Sequence, residues 1–261
     1  MSGVLPTGAE TRRGPGPVPA ADQRSPGFGW RRLQVLAVIG VLGTLLIPML
    51  VQLSVEAFLL AMAVPFIIGL LVMLRWLRAG VIWLGVVSLA ELLFSAPFLA
   101  GALTQPESTA DFIPLYVFTV CTLVGTVASI PSFREGRGPA ASRRAGAVAL
   151  AAGALIVAGA VVSVVAAAGI ESVPARQGDI RMVTEEIEFR PDAVEAEGTT
   201  VSVHVTNRDS TRHTFTIDEL GIDLNLPPHS QQRVSFEADP GTYRFFCRPH
   251  DPSMQGELRV Q

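Results

Sequence analysis

The sequence predicts a protein of two parts, an N-terminal α-helical membrane bundle followed by a small all-β sandwich. Three observations predict this fold class. Of the 261 residues, 49% are hydrophobic and only 16% are charged, whereas soluble domains have about 25% charged residues. Five long apolar runs fill residues 33–170. From residue 180 onward these runs are replaced by the alternation of apolar and polar residues that is typical of strands.

The five apolar runs have the length of membrane spans. Each is close to the roughly 20 residues that a helix needs to cross the hydrocarbon core. Prolines within them fit membrane helices, because neighbouring helices and side chains satisfy the freed carbonyl groups. The runs cover residues 33–53, 57–74, 80–103, 112–130 and 145–170, and the prolines are Pro48, Pro65, Pro97 and Pro114.

The positions of the arginines predict how the helices cross the membrane. Arginines precede the first run and lie between the second and third runs and between the fourth and fifth, while the other two loops contain none. Basic loops stay in the cytoplasm. We therefore expect a multi-pass protein of the cell membrane with a cytoplasmic N-terminus and an extracytoplasmic C-terminal domain. The arginines include Arg31, Arg32, Arg75, Arg78, Arg134, Arg143 and Arg144.

An alternative interpretation makes the first run a cleaved signal peptide. Arg31 and Arg32 precede it, and Val55-Glu56-Ala57 resembles a cleavage site. The run is longer than the apolar segment of most signal peptides, which favours a membrane span. Both interpretations place the C-terminal domain outside the cell.

The changes in composition predict four segments. Residues 1–29 are rich in proline and glycine and have almost no large apolar side chains, so we expect a disordered cytoplasmic tail. Residues 30–170 form the transmembrane domain and residues 171–178 a linker. Residues 179–261 contain several short alternating runs in about 80 residues, which indicates a small antiparallel sandwich. The clearest run has Val201, Val203 and Val205 on one face.

Three potential metal ligands of different chemistry lie close together near the C-terminus. Cys247, His250 and Met254 supply a thiolate, an imidazole and a thioether within eight residues, and all three are ligands of copper. A second imidazole from a distant loop would complete a trigonal Cys-His-His site with a weak axial methionine. His213, at the start of another predicted strand, is the natural candidate. The sequence therefore predicts a site for one copper ion.

These residues lie in segments that resemble the cupredoxin, or blue-copper, family of plastocyanin and pseudoazurin. The resemblance covers 187–191, 207–213 and 243–256, in roughly the last third of the chain. It implies an eight-stranded Greek-key sandwich holding one type 1 copper. It further implies that His213, Cys247 and His250 are the equatorial ligands and Met254 the axial one.

Two details of the ligand loops qualify this resemblance. Many family members have an asparagine directly after the first ligand histidine, where it helps tie the two ligand loops together, and this chain has Thr214. The contacts around the ligands are therefore expected to differ. A binuclear copper centre of the cytochrome oxidase kind would need a second cysteine in the loop, and Cys247 is the only one there.

Four other residues have reactive side chains, and we expect each of them to have a structural role or a surface position. His204 lies on the polar face of its strand and His229 in a Pro-Pro loop, so we expect both on the surface. Cys121 lies in the middle of the fourth span, where packing explains it. Glu91 is the one charged residue inside a span, which makes it a candidate for a proton or ion pathway. No arginine or histidine within the spans pairs with it, so we favour a protonated carboxyl group bonded within the bundle.

The predicted function is that of a membrane-anchored blue-copper electron carrier and not of an enzyme. From Glu171 onward, sixteen acidic residues and nine arginines give a net charge of −7, which favours a basic redox partner such as a c-type cytochrome, or a terminal oxidase. The charge of the whole chain, −3, argues against nucleic acid binding. Two alternatives stay open: copper storage or delivery to an oxidase, and an accessory domain of a membrane transporter or sensor.

Overall fold

The computed structural model describes residues 28–53, 55–134 and 139–261. The predicted disordered tail lies outside the described residues except for its last two. Within them, five helices precede a sandwich of two β-sheets, which confirms the predicted fold class. The helices are α1 (Trp30–Gln52), α2 (Ala57–Arg75), α3 (Leu77–Leu103), α4 (Thr109–Phe133) and α5 (Pro139–Ala168).

All five helices are long and apolar enough to cross a membrane. Their outer surfaces are apolar: Leu150 is 78% exposed and Val161 is 55% exposed. Such a continuous apolar surface is unfavourable in water and favourable in hydrocarbon. The helices therefore have the surface expected of membrane spans.

Small residues allow the helices to approach closely. The fourth helix packs against α1, α3 and α5, while α2 packs against α1 and α3. A Cβ atom at Gly85 would lie 2.6 Å from Ser129, and one at Gly159 would collide with the ring of Tyr116. Close contact through glycine is the usual way in which helices associate in a bilayer, where apolar burial provides no driving force.

The described C-terminal region contains nine strands, one more than the cupredoxin resemblance implies. They form sheets with the orders β2-β1-β4-β7 and β3-β9-β8-β5-β6. The strands are β1 (Ile180–Glu185), β2 (Glu188–Arg190), β3 (Ala193–Ala196), β4 (Thr200–Asn207), β5 (His213–Ile217), β6 (Ile222–Leu226), β7 (Gln231–Glu237), β8 (Gly241–Phe246) and β9 (Gln255–Val260).

The first two strands are separated where the chain turns back on itself. The alternation over residues 180–189 predicts one continuous strand, yet Glu186 and Ile187 both have positive φ angles and separate β1 from β2. Side chains other than glycine rarely adopt this conformation, so composition does not signal the turn. Here the carboxylate of Asp209 accepts the backbone N–H groups of Glu186 and Ile187 and holds the turn from outside.

The prediction that the sandwich is antiparallel is only partly correct. The first strand is parallel to β4, and β3 is parallel to β9, whereas the other pairs are antiparallel. Side chains alternate with the same period in both kinds of pair, so the alternation does not reveal the direction of the partner strand.

The core of the sandwich lies between the two sheets. Phe189, Phe215 and Phe245 are buried together, with ring centroids 5.1 Å apart for Phe189 and Phe245 and 5.2 Å apart for Phe215 and Phe245. As predicted, Val203 and the other valines of β4 face this core. Full burial of a phenylalanine stabilises a fold by about 1.5–3 kcal/mol.

The surface position predicted for His204 is wrong. His204 is only 4% exposed, and its Nε2 lies 3.0 Å from the carbonyl oxygen of Val173. The segment that follows α5 covers this face, because the N–H of Val173 also donates to the carbonyl of Gln231 at 2.8 Å. His204, on the polar face of β4, is thus buried by the chain that follows α5. His229 is exposed, as expected.

Candidate metal centre

The candidate centre forms where two neighbouring strands separate. The fifth and eighth strands pair only through Thr216 and Phe246. Beyond this pair, the N–H of Thr214 points at the Sγ of Cys247 at 3.4 Å, and the N–H of Arg248 donates to the Thr214 hydroxyl oxygen at 2.9 Å. Side-chain atoms thus replace carbonyl groups as acceptors, and the gap between the strands accommodates His213 and Cys247.

A short loop brings the other two candidate ligands to the same place. The N–H of His250 donates to the carbonyl of Cys247, and the N–H of Met254 donates to the carbonyl of His250. The N–H of Cys247 in turn donates to the carbonyl of Met254, all three bonds at 3.0 Å. This closed set of bonds fixes the loop, and it leaves Cys247 and Met254 buried.

Three candidate ligand atoms form a compact triangle. The Nδ1 atoms of His213 and His250 are 3.2 Å apart, and the Sγ of Cys247 lies 3.7 Å from the first and 3.4 Å from the second. A point equidistant from all three lies about 2 Å from each, close to the 2.0–2.3 Å of metal bonds to imidazole nitrogen and thiolate sulfur. The donor set and its spacing therefore fit one transition-metal ion, and a thiolate with two imidazoles suits copper.

A carboxylate determines which nitrogen of His213 faces the triangle. The Nε2 of His213 lies 2.8 Å from Oδ2 of Asp209. A carboxylate only accepts hydrogen bonds, so Nε2 carries the proton and Nδ1 presents its lone pair. Burial raises the pKa of Asp209, but bonds from the N–H of Glu186 and from His213 outweigh it and lower the pKa overall. Asp209 therefore stays ionised and orients His213.

The pKa values of the other two residues of the triangle, Cys247 and His250, are shifted in opposite directions. Burial raises the pKa of the Cys247 thiol, against the hydrogen bonds from Thr214 and the N–H of His250. A metal ion must therefore displace a proton to bind this sulfur. Burial, together with the neighbouring His213, lowers the pKa of His250. That imidazole is neutral at neutral pH and ready to coordinate.

Thr214 connects the two ligand segments. Its hydroxyl accepts the N–H of Arg248 and lies 3.0 Å from the hydroxyl of Thr216, which donates to Asp223 at 2.7 Å. Because the Thr216 proton is used for Asp223, the Thr214 hydroxyl donates to Thr216. Threonine thus ties β5 to the loop after β8, as the resemblance assigns to asparagine in other members.

The structure brings His213, Cys247 and His250 into one cluster and buries Met254 in the loop beside them. Sequence reasoning did not identify Asp209 or the bonds of Thr214. A signal for Asp209 was its position four residues before His213, within the same turn. The remaining reactive residues lie elsewhere: Cys121 is a free thiol in α4, and Glu91 lies half-buried in α3.

Comparison with known proteins gives the class of this domain. A family model described as a cupredoxin-like domain matches residues 153–260. The chain therefore carries a cupredoxin-like domain at its C-terminus. The match begins inside α5, whereas the first strand begins at Ile180. No curated protein matches the chain.

Solved structures similar to the chain include several of amicyanin. A reduced amicyanin variant and the Cu(I) form of another are each 18% identical to the aligned region. Both matches cover 33% of this chain and 86% of amicyanin, with a TM-score of 0.29. A third, the reduced Cu(I) form at pH 4 of a further variant, is 21% identical with a TM-score of 0.28.

Proposed function

We propose that this protein is a membrane-anchored type 1 copper protein that carries single electrons at the outer face of the membrane. The observation that supports this best is the triangle of His213, Cys247 and His250, with Met254 buried in the same loop. Bound copper would supply the Cu(II)/Cu(I) couple. Histidine suits Cu(II), whereas thiolate and thioether suit Cu(I), so a site with both serves the two states.

The surroundings of the site favour electron transfer over catalysis. Asp209 and Thr214 hold the ligands in place, so a change of charge needs little movement of the protein. His213 and Cys247 have no exposed surface, while His250 is half-buried and offers an edge to a partner. In the part of the chain that the structure describes, this is the one cluster with metal-ligand spacing, and a carrier of single electrons needs one such site.

The helices would serve to hold this domain at the membrane. Five apolar helices suit membrane insertion, and the arginine pattern supports a cytoplasmic N-terminus with the copper domain outside. Tethering raises the effective concentration of a carrier near partners in the same membrane. The net charge of −7 from Glu171 onward favours a basic partner such as a c-type cytochrome, or a terminal oxidase with a basic docking face.

The chain has two cysteines, which offer a matched test. We expect full-length protein in detergent to develop an intense thiolate-to-copper absorption band on addition of Cu(II). Cys247→Ser should abolish the band, whereas Cys121→Ser, in the membrane bundle, should retain it. Reduction should bleach the band and reoxidation restore it with copper retained. A colourless wild-type protein would contradict a type 1 site, and loss of copper on reduction would favour copper delivery.

A further inference from the structure

A closed ring of hydrogen bonds joins the ligand loop to β5 and β6. The N–H of Arg248 donates to the hydroxyl oxygen of Thr214 at 2.9 Å, and this oxygen lies 3.0 Å from the hydroxyl oxygen of Thr216. The hydroxyl of Thr216 donates to Oδ1 of Asp223 at 2.7 Å, and Nε of Arg248 donates to Oδ2 of the same carboxylate at 3.1 Å. The ring thus begins and ends at Arg248, the residue that follows Cys247 in the chain.

The carboxylate of Asp223 sets the direction of the protons in this ring. A carboxylate only accepts hydrogen bonds, so the hydroxyl proton of Thr216 points to Asp223. The oxygen of Thr216 is then free to accept, and the hydroxyl proton of Thr214 points to it. Thr214 is 4% exposed and Thr216 is 0% exposed, so water does not offer these hydroxyl groups other partners.

The hydroxyl of Thr214 lies beside the sulfur of Cys247. The N–H of Thr214 points at this sulfur at 3.4 Å, and its hydroxyl accepts the N–H of Arg248, the next residue after the cysteine. Burial raises the pKa of the Cys247 thiol, and the side chain of Thr214 is among the hydrogen-bonding groups that oppose this rise. The hydroxyl proton therefore has two acceptors within reach, the oxygen of Thr216 and the sulfur.

We propose that Asp223 is a positioning residue of the candidate metal centre. By accepting the proton of Thr216, it keeps the proton of Thr214 on the oxygen of Thr216. The sulfur of Cys247 is thereby left without a hydrogen bond from this hydroxyl. The consequence for bound copper rests on the proposed function: a hydrogen bond to the thiolate would favour Cu(I), so its absence keeps the reduction potential lower.

Two substitutions, which we call the ring variants, turn the Thr214 proton toward the sulfur. The side chain of Arg248 only donates, so in Asp223→Asn the amide oxygen faces Arg248 and the amide NH2 group faces Thr216. Thr216 then accepts this N–H and donates to Thr214, whose proton is left to the sulfur. Thr216→Val reaches the same arrangement by another route, because it removes the competing oxygen and keeps the volume of the side chain.

Asp218→Asn is the matched control for the loss of charge. Asp218 lies in the short turn between β5 and β6 and accepts a hydrogen bond from the same guanidinium group of Arg248 at 2.8 Å. Its carboxylate is not a member of the ring. Asp218→Asn and Asp223→Asn therefore each remove one negative charge beside Arg248, and only the second reverses the hydroxyl protons.

The direction of the proton is measured first on the copper-free, full-length protein in detergent. The chain has two cysteines, so with Cys121→Ser in every sample the infrared S–H stretching band belongs to Cys247 alone. We expect both ring variants to shift this band in the same direction, because the sulfur gains a hydrogen bond, and Asp218→Asn to leave it unchanged. An unchanged band in the ring variants would overturn the proposal.

Hydrogen exchange of the Arg248 amide shows whether the loop stays in place. This N–H donates to the Thr214 oxygen in the wild type and is expected to do so in both ring variants, so its protection should be retained. If one ring variant loses this protection, the S–H band of the other decides. Loss of protection in both would overturn the proposal, because the reversed protons require this bond.

The consequence for copper is tested separately on the copper-loaded protein. The ring variants should shift the equilibrium toward Cu(I) by roughly tenfold more than Asp218→Asn does, a rise in reduction potential of about 59 mV for one electron. In a Thr214→Ala background, which removes the hydroxyl, Asp223→Asn should have the same effect as Asp218→Asn. An undiminished effect of Asp223→Asn in that background would overturn the proposal. Absence of a copper band in the wild type would instead reject the proposed function, and the S–H results would still stand.

Discussion

In the helical bundle, large apolar side chains such as Leu93 and Val161 face outward with 67% and 55% of their surface exposed. In the sandwich, Ile187 is the one large apolar side chain among the described residues that is markedly exposed. The two halves of one chain thus distribute the same residue types in opposite ways. This is the difference that two solvents would produce, because hydrocarbon accepts apolar surface that water would drive into a core.

The same contrast applies to how each half is held together. Charged pairs such as Arg233 with Asp179, and ionised hydrogen-bond acceptors such as Asp209, stabilise the sandwich. Helix contacts in the bundle depend on small residues such as Gly85 and Gly159. A copper ligand set needs side chains fixed by polar bonds, and the sandwich supplies such bonds to His213.

The largest difference in stability is expected between two phenylalanine-to-alanine substitutions, one in each half of the chain. Phe215→Ala empties a fully buried position of the sandwich core and should lower the free energy of unfolding of this domain by about 3–5 kcal/mol. Phe133→Ala, half exposed at the end of α4, should change stability by about 0.5 kcal/mol or less. Hydrogen exchange of the β4 and β5 amides in the full-length protein measures the first effect. Comparable losses from both variants would contradict the difference in solvent.

A smaller effect is expected from a charge on each outer surface. Val161→Asp places a carboxylate on the exposed apolar surface of the second half of α5. It should make membrane insertion less favourable by up to about 2.5–3.5 kcal/mol, the cost of a charge at the centre of a span. Thr242→Asp, exposed on β8 opposite Arg259, should change stability by about 0.5 kcal/mol or less. The fraction of each variant that is integrated into the membrane after expression measures the effect on insertion. Normal insertion of Val161→Asp would argue that α5 does not face lipid.

The smallest effect is a dependence of the stability of the sandwich on pH. Hydrogen bonds from Arg233 lower the pKa of Asp179, aided by the N–H of Arg176 and opposed by burial. Because the folded pKa lies below the unfolded one, this stabilisation is complete at neutral pH. It is lost as the pH falls from the ordinary carboxyl range through the lowered pKa.

Asp179→Asn tests this by removing the titrating group. We expect the variant to be less stable than wild type at neutral pH and to lose less stability on acidification, as measured by hydrogen exchange of β4 and β7 between pH 7 and about pH 4. Asp239→Asn, which removes an exposed carboxylate, serves as the control for net charge. If Asp179→Asn lost as much stability on acidification as wild type, this would contradict a stabilising ion pair between Asp179 and Arg233.

Much of the candidate site follows from local sequence. Cys247, His250 and Met254 lie within one loop, and a short loop keeps its ligands near one another in any fold. His213 is 34 residues away from Cys247, and its place followed only from ligand chemistry and a family resemblance. The position of Asp209 four residues before His213 was a local signal for their bond. Its hydrogen bond to the turn between β1 and β2 could not be predicted, because it joins segments that meet only in the folded domain.

The sequence by itself determined the five apolar helices, the alternating strands and the donor set of the metal centre, because each depends on residue type and on spacing along the chain. Only the tertiary structure decided which strands pair in parallel, that the chain after α5 buries His204, and that Thr214 links the two ligand segments. It also decided that the ends of four helices line an apolar cavity. These features depend on contacts between segments distant in sequence, and such contacts leave no periodic signal along the chain.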